Sequence, residues 1–194
     1  MSEADREKWE RRYAGAERLM GDGPKAALVA WEAELPRSGR ALDVGAGEGQ
    51  TAAWLAARGL SVDAVDISPR ALAKARALAA ERGVAERVRT FEQDLDAGLP
   101  DGLEPTYDLV TSVHYWPGEA LGAALVERLA PGGTLVLVAL SAAAFTGRAG
   151  GPSARFLVAP ERARDLASNL TVLACDDVDV SGRPELVLVA RRDQ

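Results

Sequence analysis

The chain has 194 residues, 47% of them hydrophobic and 27% charged, a globular balance that excludes a disordered tail protein and suits one domain. Lys and Arg total 23 against 29 Asp and Glu, for a net charge of −6, a poor starting point for gripping nucleic acid or an anionic membrane. The single Cys175 excludes an intramolecular disulfide framework and a thiolate zinc cluster and suits a reducing compartment; no metal site is expected.

In chain order, residues 3–20 predict a charged helix, with Trp9, Tyr13 and Ala16 at helical spacing. Gly21-Asp22-Gly23-Pro24 breaks it, and residues 25–35 read as a second short helix ended by Pro36. Residues 40–44 form an apolar strand running into Gly45-Ala46-Gly47-Glu48-Gly49, with a helix at 50–58 behind it. A second strand covers 61–67. Ser68-Pro69 then supplies an N-cap and a proline at the first helical position for a helix at 70–82, closed by Gly83. Strands follow at 88–93, 107–113 and 134–140, with a helix at 119–129 before the last of these. Residues 141–155 are small, polar and Gly-rich and read as a long loop. A helix at 160–167 precedes two strands, 171–178 and 185–190.

Strands alternating with helices predict βαβ units and a mostly parallel sheet with helices on both faces. The last two strands lack a crossover helix and should form an antiparallel hairpin. The expected fold class is α/β: a single-domain, doubly wound, Rossmann-like fold with a seven-stranded, mostly parallel sheet and that C-terminal hairpin. Residues 1–36 are expected to act as an N-terminal helical lid and 37–194 as the main domain. The charged first twenty residues lack the apolar core of a signal peptide, and the apolar run at 134–140 is too short to cross a bilayer. A cytoplasmic location is expected.

The chemistry concentrates at Asp43-Val44-Gly45-Ala46-Gly47-Glu48-Gly49, a strand-to-helix junction. Glycines there let the backbone turn tightly and approach a ligand, and the helix start offers free amides. Asp66 follows Gly45 at about the 20-residue spacing of a nucleoside-binding βαβ unit, where an acid accepts hydrogen bonds from a ribose diol. A dinucleotide fingerprint would need glycine at the position of Gln50. Asp43 and Glu48 also flank the turn, and two carboxylates would repel a pyrophosphate but suit a cation. A sulfonium cofactor is therefore expected ahead of NAD.

These residues resemble the class I S-adenosylmethionine-dependent methyltransferases, from about Trp9 to the C-terminus. The glycine segment is similar to the family's first motif, implying that Gly45, Ala46 and Gly47 cradle the methionine part of the cofactor beside Asp43. Val65-Asp66-Ile67-Ser68 resembles the next motif, which implies Asp66 on the ribose hydroxyls and Ile67 against the adenine. Gln93-Asp94-Leu95 is similar to the third, implying Asp94 at the adenine amino group and the Leu95 amide nearby. Tyr107-Asp108-Leu109-Val110-Thr111-Ser112 matches the strand-four motif, with Ser112 a cofactor contact, and Leu129-Ala130-Pro131-Gly132-Gly133-Thr134 matches the turn before strand five. Trp9-x-x-x-Tyr13 resembles the small tellurite-resistance-type branch (within the methyltransferase-domain 11/25 group), in which an N-terminal helix lids the cofactor; Tyr13 is then a cofactor contact.

The resemblance implies S-adenosyl-L-methionine as cofactor, S-adenosyl-L-homocysteine as product and methyl transfer by in-line displacement. Positioning supplies most of the acceleration in such a step, and a base is needed only for an acceptor protonated at neutral pH. His114, the sole histidine, is the candidate base and, with Tyr115, Trp116 and Arg148, a candidate substrate contact, packing being the alternative for His114, Tyr115 and Trp116. Arg148 and Arg155 border the loop where the family often places substrate contacts, and no anion site follows from them. The acidic chain predicts a small-molecule substrate, no nucleic-acid or membrane partner, and a monomer or homodimer. The alternative is a non-catalytic protein of this fold that binds S-adenosylmethionine or S-adenosylhomocysteine.

Overall fold

The computed structural model describes residues 3–15, 18–145, 156–179 and 184–194. Its helices are α1 (Glu3–Tyr13), α2 (Ala26–Val29), α3 (Gln50–Ala57), α4 (Pro69–Glu81), α5 (Gly118–Glu127) and α6 (Pro160–Leu166). Its strands are β1 (Arg40–Val44), β2 (Ser61–Asp66), β3 (Val88–Glu92), β4 (Tyr107–Val113), β5 (Leu129–Ser141), β6 (Leu157–Val158), β7 (Thr171–Asp179) and β8 (Pro184–Arg191). The chain divides into two compact units, Met1–Pro24 with Pro36–Pro105, and Lys25–Leu35 with Thr106–Gln194.

In the first unit the three strands run parallel in the order β3-β2-β1, with Val44 opposite Val65 and Asp66 opposite Glu92. Ala41, Leu42 and Val44 of β1 and Val62, Ala64 and Val65 of β2 are all buried. Such continuous burial marks strands covered on both faces, and it explains why they read as apolar runs rather than alternating ones. Leu55 of α3 and Leu72 and Leu78 of α4 are buried as well. The Ser68 Oγ accepts the Ala71 amide at 3.1 Å and Pro69 opens α4, as the sequence signature predicts.

The second unit has the order β4-β5-β8-β7, with β6 beside β5. β4 and β5 are parallel, whereas β8 runs antiparallel to both β5 and β7. The C-terminal hairpin is therefore present, for the reason given by its short connection. The two units contain three and five strands, where seven were expected in all. The additional one is β6, two residues paired with Leu140 and Ser141, too short to give a periodic signal.

Other departures have local causes. The first helix stops at Tyr13 rather than residue 20; Gly15 follows it, and Ala16 lies outside the described residues. The helix expected at 25–35 is the four-residue α2 and a 3-10 turn at Glu32–Glu34. Leu35, ahead of Pro36, is extended at φ −86° and ψ 145°, because proline disfavours a helical predecessor. β5 begins at Leu129, five residues early, and its pairing with β4 shifts register between Tyr107 and Leu109. The Pro131-Gly132-Gly133 turn is thus absorbed into an irregular strand start.

α3 lies close to α4 through Gly49. This residue has φ 79°, and a Cβ there would stand 2.6 Å from the Ala75 Cβ and 2.9 Å from the Ala75 Cα. Backbone cannot yield as a flexible side chain would. Gly49→Ala therefore combines left-handed strain with overpacking and is expected to lower unfolding free energy by about 2–4 kcal/mol, measured by urea denaturation.

Candidate active site

The turn after β1 is built from glycines at positive φ: 66° at Gly45, 54° at Gly47 and 79° at Gly49. The Ala46 amide donates to the Val65 carbonyl at 3.0 Å, which ties the turn to β2, and the Gly49 amide donates to the Ala46 carbonyl at 3.0 Å. Asp66 ends β2 and is buried. Its Oδ2 accepts the Gly47 amide at 2.8 Å and its Oδ1 accepts the Ser68 amide at 2.9 Å. Burial pushes the Asp66 carboxyl above the ordinary aspartate range, and the Ser68 and Gly47 amides offset part of that. The Ile67 amide also bonds this carboxylate, and since a carboxylate has about four lone-pair sites, capacity for a further donor remains.

Tyr13 covers this turn. Its Oη lies 3.0 Å from where a Cβ on Gly47 would stand, so a side chain at Gly47 would press against the phenol. Burial, followed by the negative charges of Asp66 and Glu48, raises the phenol well above its ordinary pKa, keeping it a neutral donor. Trp9 stacks on Tyr13 at 5.6 Å and the Arg12 guanidinium lies over Trp9 at 4.6 Å. Glu10, from the same helix, reaches the start of α4. It accepts from the Ser68 hydroxyl, from the Arg70 amide at 3.2 Å and from the Arg70 guanidinium at 2.8 Å. Although burial acts in the opposite sense, these donors hold the Glu10 carboxyl below its ordinary range. Sequence reasoning missed Glu10, which is indistinguishable from the other charges of α1.

Asp43 is buried in β1. Ile67 and Leu95 are buried and apolar. Asp94 is half-buried after β3, where it accepts the Asp96 amide at 3.0 Å and caps the 3-10 turn at Leu95–Ala97. The Gln93 amide donates to the Asp66 carbonyl at 3.0 Å, bringing the β3 end against the β2 end. The structure thus brings Tyr13, Asp43, Gly45, Ala46, Gly47, Asp66, Ile67, Asp94 and Leu95 into the first unit.

Glu48 corrects the electrostatic argument. It is fully buried, and its Oε1 accepts from the Lys74 ammonium at 2.8 Å while its Oε2 accepts the Met20 amide at 3.1 Å. Gln50 donates to the Gly21 carbonyl at 2.8 Å. With Lys74 opposite it, Glu48 adds little net negative charge to the turn and instead fastens the segment around Met20. Lys74 carries no local signal in the sequence, since only the packing of its helix against the turn brings it to Glu48. The negative field at the turn comes from Asp43 and Asp66.

The remaining candidates belong to the second unit. Ser112 is buried and donates to the Tyr115 carbonyl at 2.6 Å, closing the turn after β4. Tyr115 and Trp116 are buried, with the Arg162 guanidinium 5.4 Å from the Trp116 ring centroid. His114 faces Glu185, another residue the sequence did not single out. Cys175 is buried in β7, its thiol donating to the Pro160 carbonyl at 3.3 Å. Arg148 and Arg155 lie outside the described residues. Among the described residues, no cluster of His, Cys, Asp or Glu could hold a metal ion, and no helix is long and apolar enough to cross a membrane.

Residues 41–133 match the sequence profile of the methyltransferase-domain family. The chain is 33% identical over 162 residues to a ribosomal RNA small subunit methyltransferase C from Chromohalobacter salexigens, covering 81% of this chain and 44% of that protein. It spans less than half the length of the curated relatives it matches. The fold matches a protein solved in the context of converting a disulfide bond into a thioacetal group during echinomycin biosynthesis, with TM-score 0.74, 24% identity, and 97% and 92% of the two chains covered. It also matches the Burkholderia thailandensis 1,6-didemethyltoxoflavin-N1-methyltransferase, with TM-score 0.70, 21% identity, and 97% and 87% covered. The chain therefore resembles the methyltransferase-domain family through residues 41–133, and it has the Rossmann-like α/β fold of the solved S-adenosylmethionine-dependent methyltransferases it matches.

Proposed function

We propose that the chain is an S-adenosylmethionine-dependent methyltransferase acting on a small-molecule acceptor. The observation that carries the cofactor half of this reading is Asp66. Its carboxylate is held by the Gly47, Ser68 and Ile67 amides, yet retains acceptor capacity for a further donor such as a ribose hydroxyl. The bound cofactor would supply a methyl group already activated on a sulfonium. Gly45, Ala46 and Gly47 would border its methionine part, since glycine permits close backbone approach. Asp66 would accept the ribose hydroxyls, Ile67 and Leu95 would offer apolar surface to the adenine, and Asp94 would accept from its amino group. Tyr13, a neutral phenol against the turn, would exclude water there. The acids Asp43 and Asp66, both buried beside the turn, suit a positively charged ligand better than a pyrophosphate.

The acceptor half rests on charge and on likeness. A net charge of −6 is a poor electrostatic starting point for holding a phosphate backbone. One relative is by its name a ribosomal RNA methyltransferase, whereas the toxoflavin methyltransferase was solved with bound 1,6-didemethyltoxoflavin. The acidity of this chain supports the small-molecule side of that contrast. Incubating the protein with methyl-labelled cofactor and a cell extract tests it. Label is expected in the dialysable fraction, and label that precipitates with RNA or protein would overturn the small-molecule assignment.

Two measurements test the cofactor. S-adenosylhomocysteine is expected to raise the melting temperature while NAD and NADP leave it unchanged, because only a ligand of the folded state stabilises it. Asp66→Ala is expected to weaken S-adenosylhomocysteine binding by about 10- to 100-fold in calorimetry. That is the loss of roughly 1.5–3 kcal/mol from charge-assisted hydrogen bonds.

A further inference from the structure

The turn after β4 carries the chain's only histidine in a left-handed backbone conformation. Among the described residues His114 is the only non-glycine at positive φ, 59°. Its amide donates to the Val138 carbonyl of β5 at 2.7 Å, and the Ser112 hydroxyl closes the turn on the Tyr115 carbonyl. Left-handed backbone in a residue with a Cβ persists only where its surroundings enforce it, and such positions gather at functional sites.

The enforced backbone delivers the imidazole to an acid. His114 Nε2 lies 2.5 Å from Glu185 Oε1, at the start of β8. The carboxylate side chain keeps 7% of its surface exposed and the imidazole 23%. A carboxylate only accepts, so Nε2 carries the hydrogen, and in the neutral ring Nδ1 carries the lone pair. Among the described residues Nδ1 has no hydrogen-bond partner. Among the described residues, the buried Nε1–H of the adjoining Trp116 likewise has no hydrogen-bond partner. The turn thus presents an imidazole lone pair backed by a buried negative charge.

We propose that His114 and Glu185 form a proton-accepting dyad. Glu185 is its positioning residue, and the methyl acceptor is a group that must lose a proton: a phenol, an alcohol or an amine. The proposal rests on the methyl-transfer reading for the fate of the methyl group. The acceptor's lone pair forms the new bond to the methyl carbon, and the donor's carbon–sulfur bond breaks with its electron pair left on sulfur. The proton of the acceptor passes to His114 Nδ1, giving an imidazolium whose charge Glu185 balances across the Nε2–H. A buried carboxylate so placed holds the tautomer and stabilises the cation that forms, a division of labour that recurs wherever histidine acts as a base.

Because the chain has one histidine, nitrogen-15 NMR of the labelled full chain reports this imidazole without assignment. At alkaline pH the wild type is expected to show a single neutral tautomer with the proton on Nε2. Glu185→Gln, whose amide oxygen also accepts, should keep it, and Glu185→Leu should give a mixture of tautomers. Phenol and benzylamine, titrated as probes into the complex with S-adenosylhomocysteine, should move the Nδ1 resonance upfield as the lone pair accepts a hydrogen bond. His114→Asn, which tolerates left-handed backbone, should still unfold cooperatively, separating the imidazole's chemistry from the shape of the turn. A proton found on Nδ1 in the wild type, or an Nδ1 resonance that neither probe moves, would overturn the dyad. Calorimetry with S-adenosylhomocysteine stands apart. Its failure would remove the methyl-donor reading and leave the tautomer result intact, whereas a failed tautomer measurement would leave the donor reading in place.

Discussion

One buried carboxylate organises the first unit. Asp66 accepts the Gly47 amide with one oxygen and the Ser68 amide with the other, so a single side chain fixes the turn after β1 and the entry to α4. Its own carbonyl accepts the Gln93 amide, which adds the end of β3. A charge placed this far from water is costly unless hydrogen-bonded. Here the donors are backbone amides at a strand-to-helix junction, groups that would otherwise lack partners themselves. The same arrangement that makes the buried acid tolerable aligns three strand ends. The proposed nucleoside site and a stable junction are therefore one solution rather than two competing demands.

The N-terminal helix is held to that junction by charge more than by apolar packing. Tyr13 is the only residue of α1 that is buried, while Glu10 engages both Ser68 and Arg70 and Arg6 engages Glu92 at 2.6 Å. Exposed pairs of this kind contribute little each, but Glu10 also satisfies the Arg70 amide in the first turn of α4, where a negative charge complements the helix dipole. Farther along, the amide of Met20 and the carbonyl of Gly21 are held by Glu48 and Gln50. The segment before β1 is thus fastened at its helix by Glu10 and near its end by the residues that follow the glycine turn.

What could be read in advance follows from the range of each interaction. The βαβ alternation, the glycine turn, the Ser68-Pro69 cap and the antiparallel terminal hairpin all rest on contacts between sequence neighbours, and all are present. Glu48 shows where that kind of reading fails. Its position beside the glycines suggested a charge facing the ligand, but Lys74, a turn and a half into α4, neutralises it. Glu185 fails in the opposite sense: an acid opening a strand carries no local signal, and only the pairing of β8 with β5 brings it to His114. The expected helix at 25–35 gave way because the geometry demanded by Pro36 acts one residue upstream.

The second unit obeys a different economy from the first. Around Asp66 the donors are backbone amides, and the acid remains where ordinary secondary structure would place it. Around His114 the backbone itself is bent into a left-handed conformation, and the acid comes from a strand remote in sequence. Apolar strands such as β5 and β8, buried along nearly their whole length, would be more stable with an apolar residue at position 185. Replacing a buried polar pair by well-packed apolar residues is often neutral or stabilising. An arrangement that retains a buried acid, a histidine on unfavourable backbone and an unengaged indole N–H within one turn therefore argues for chemistry rather than for packing.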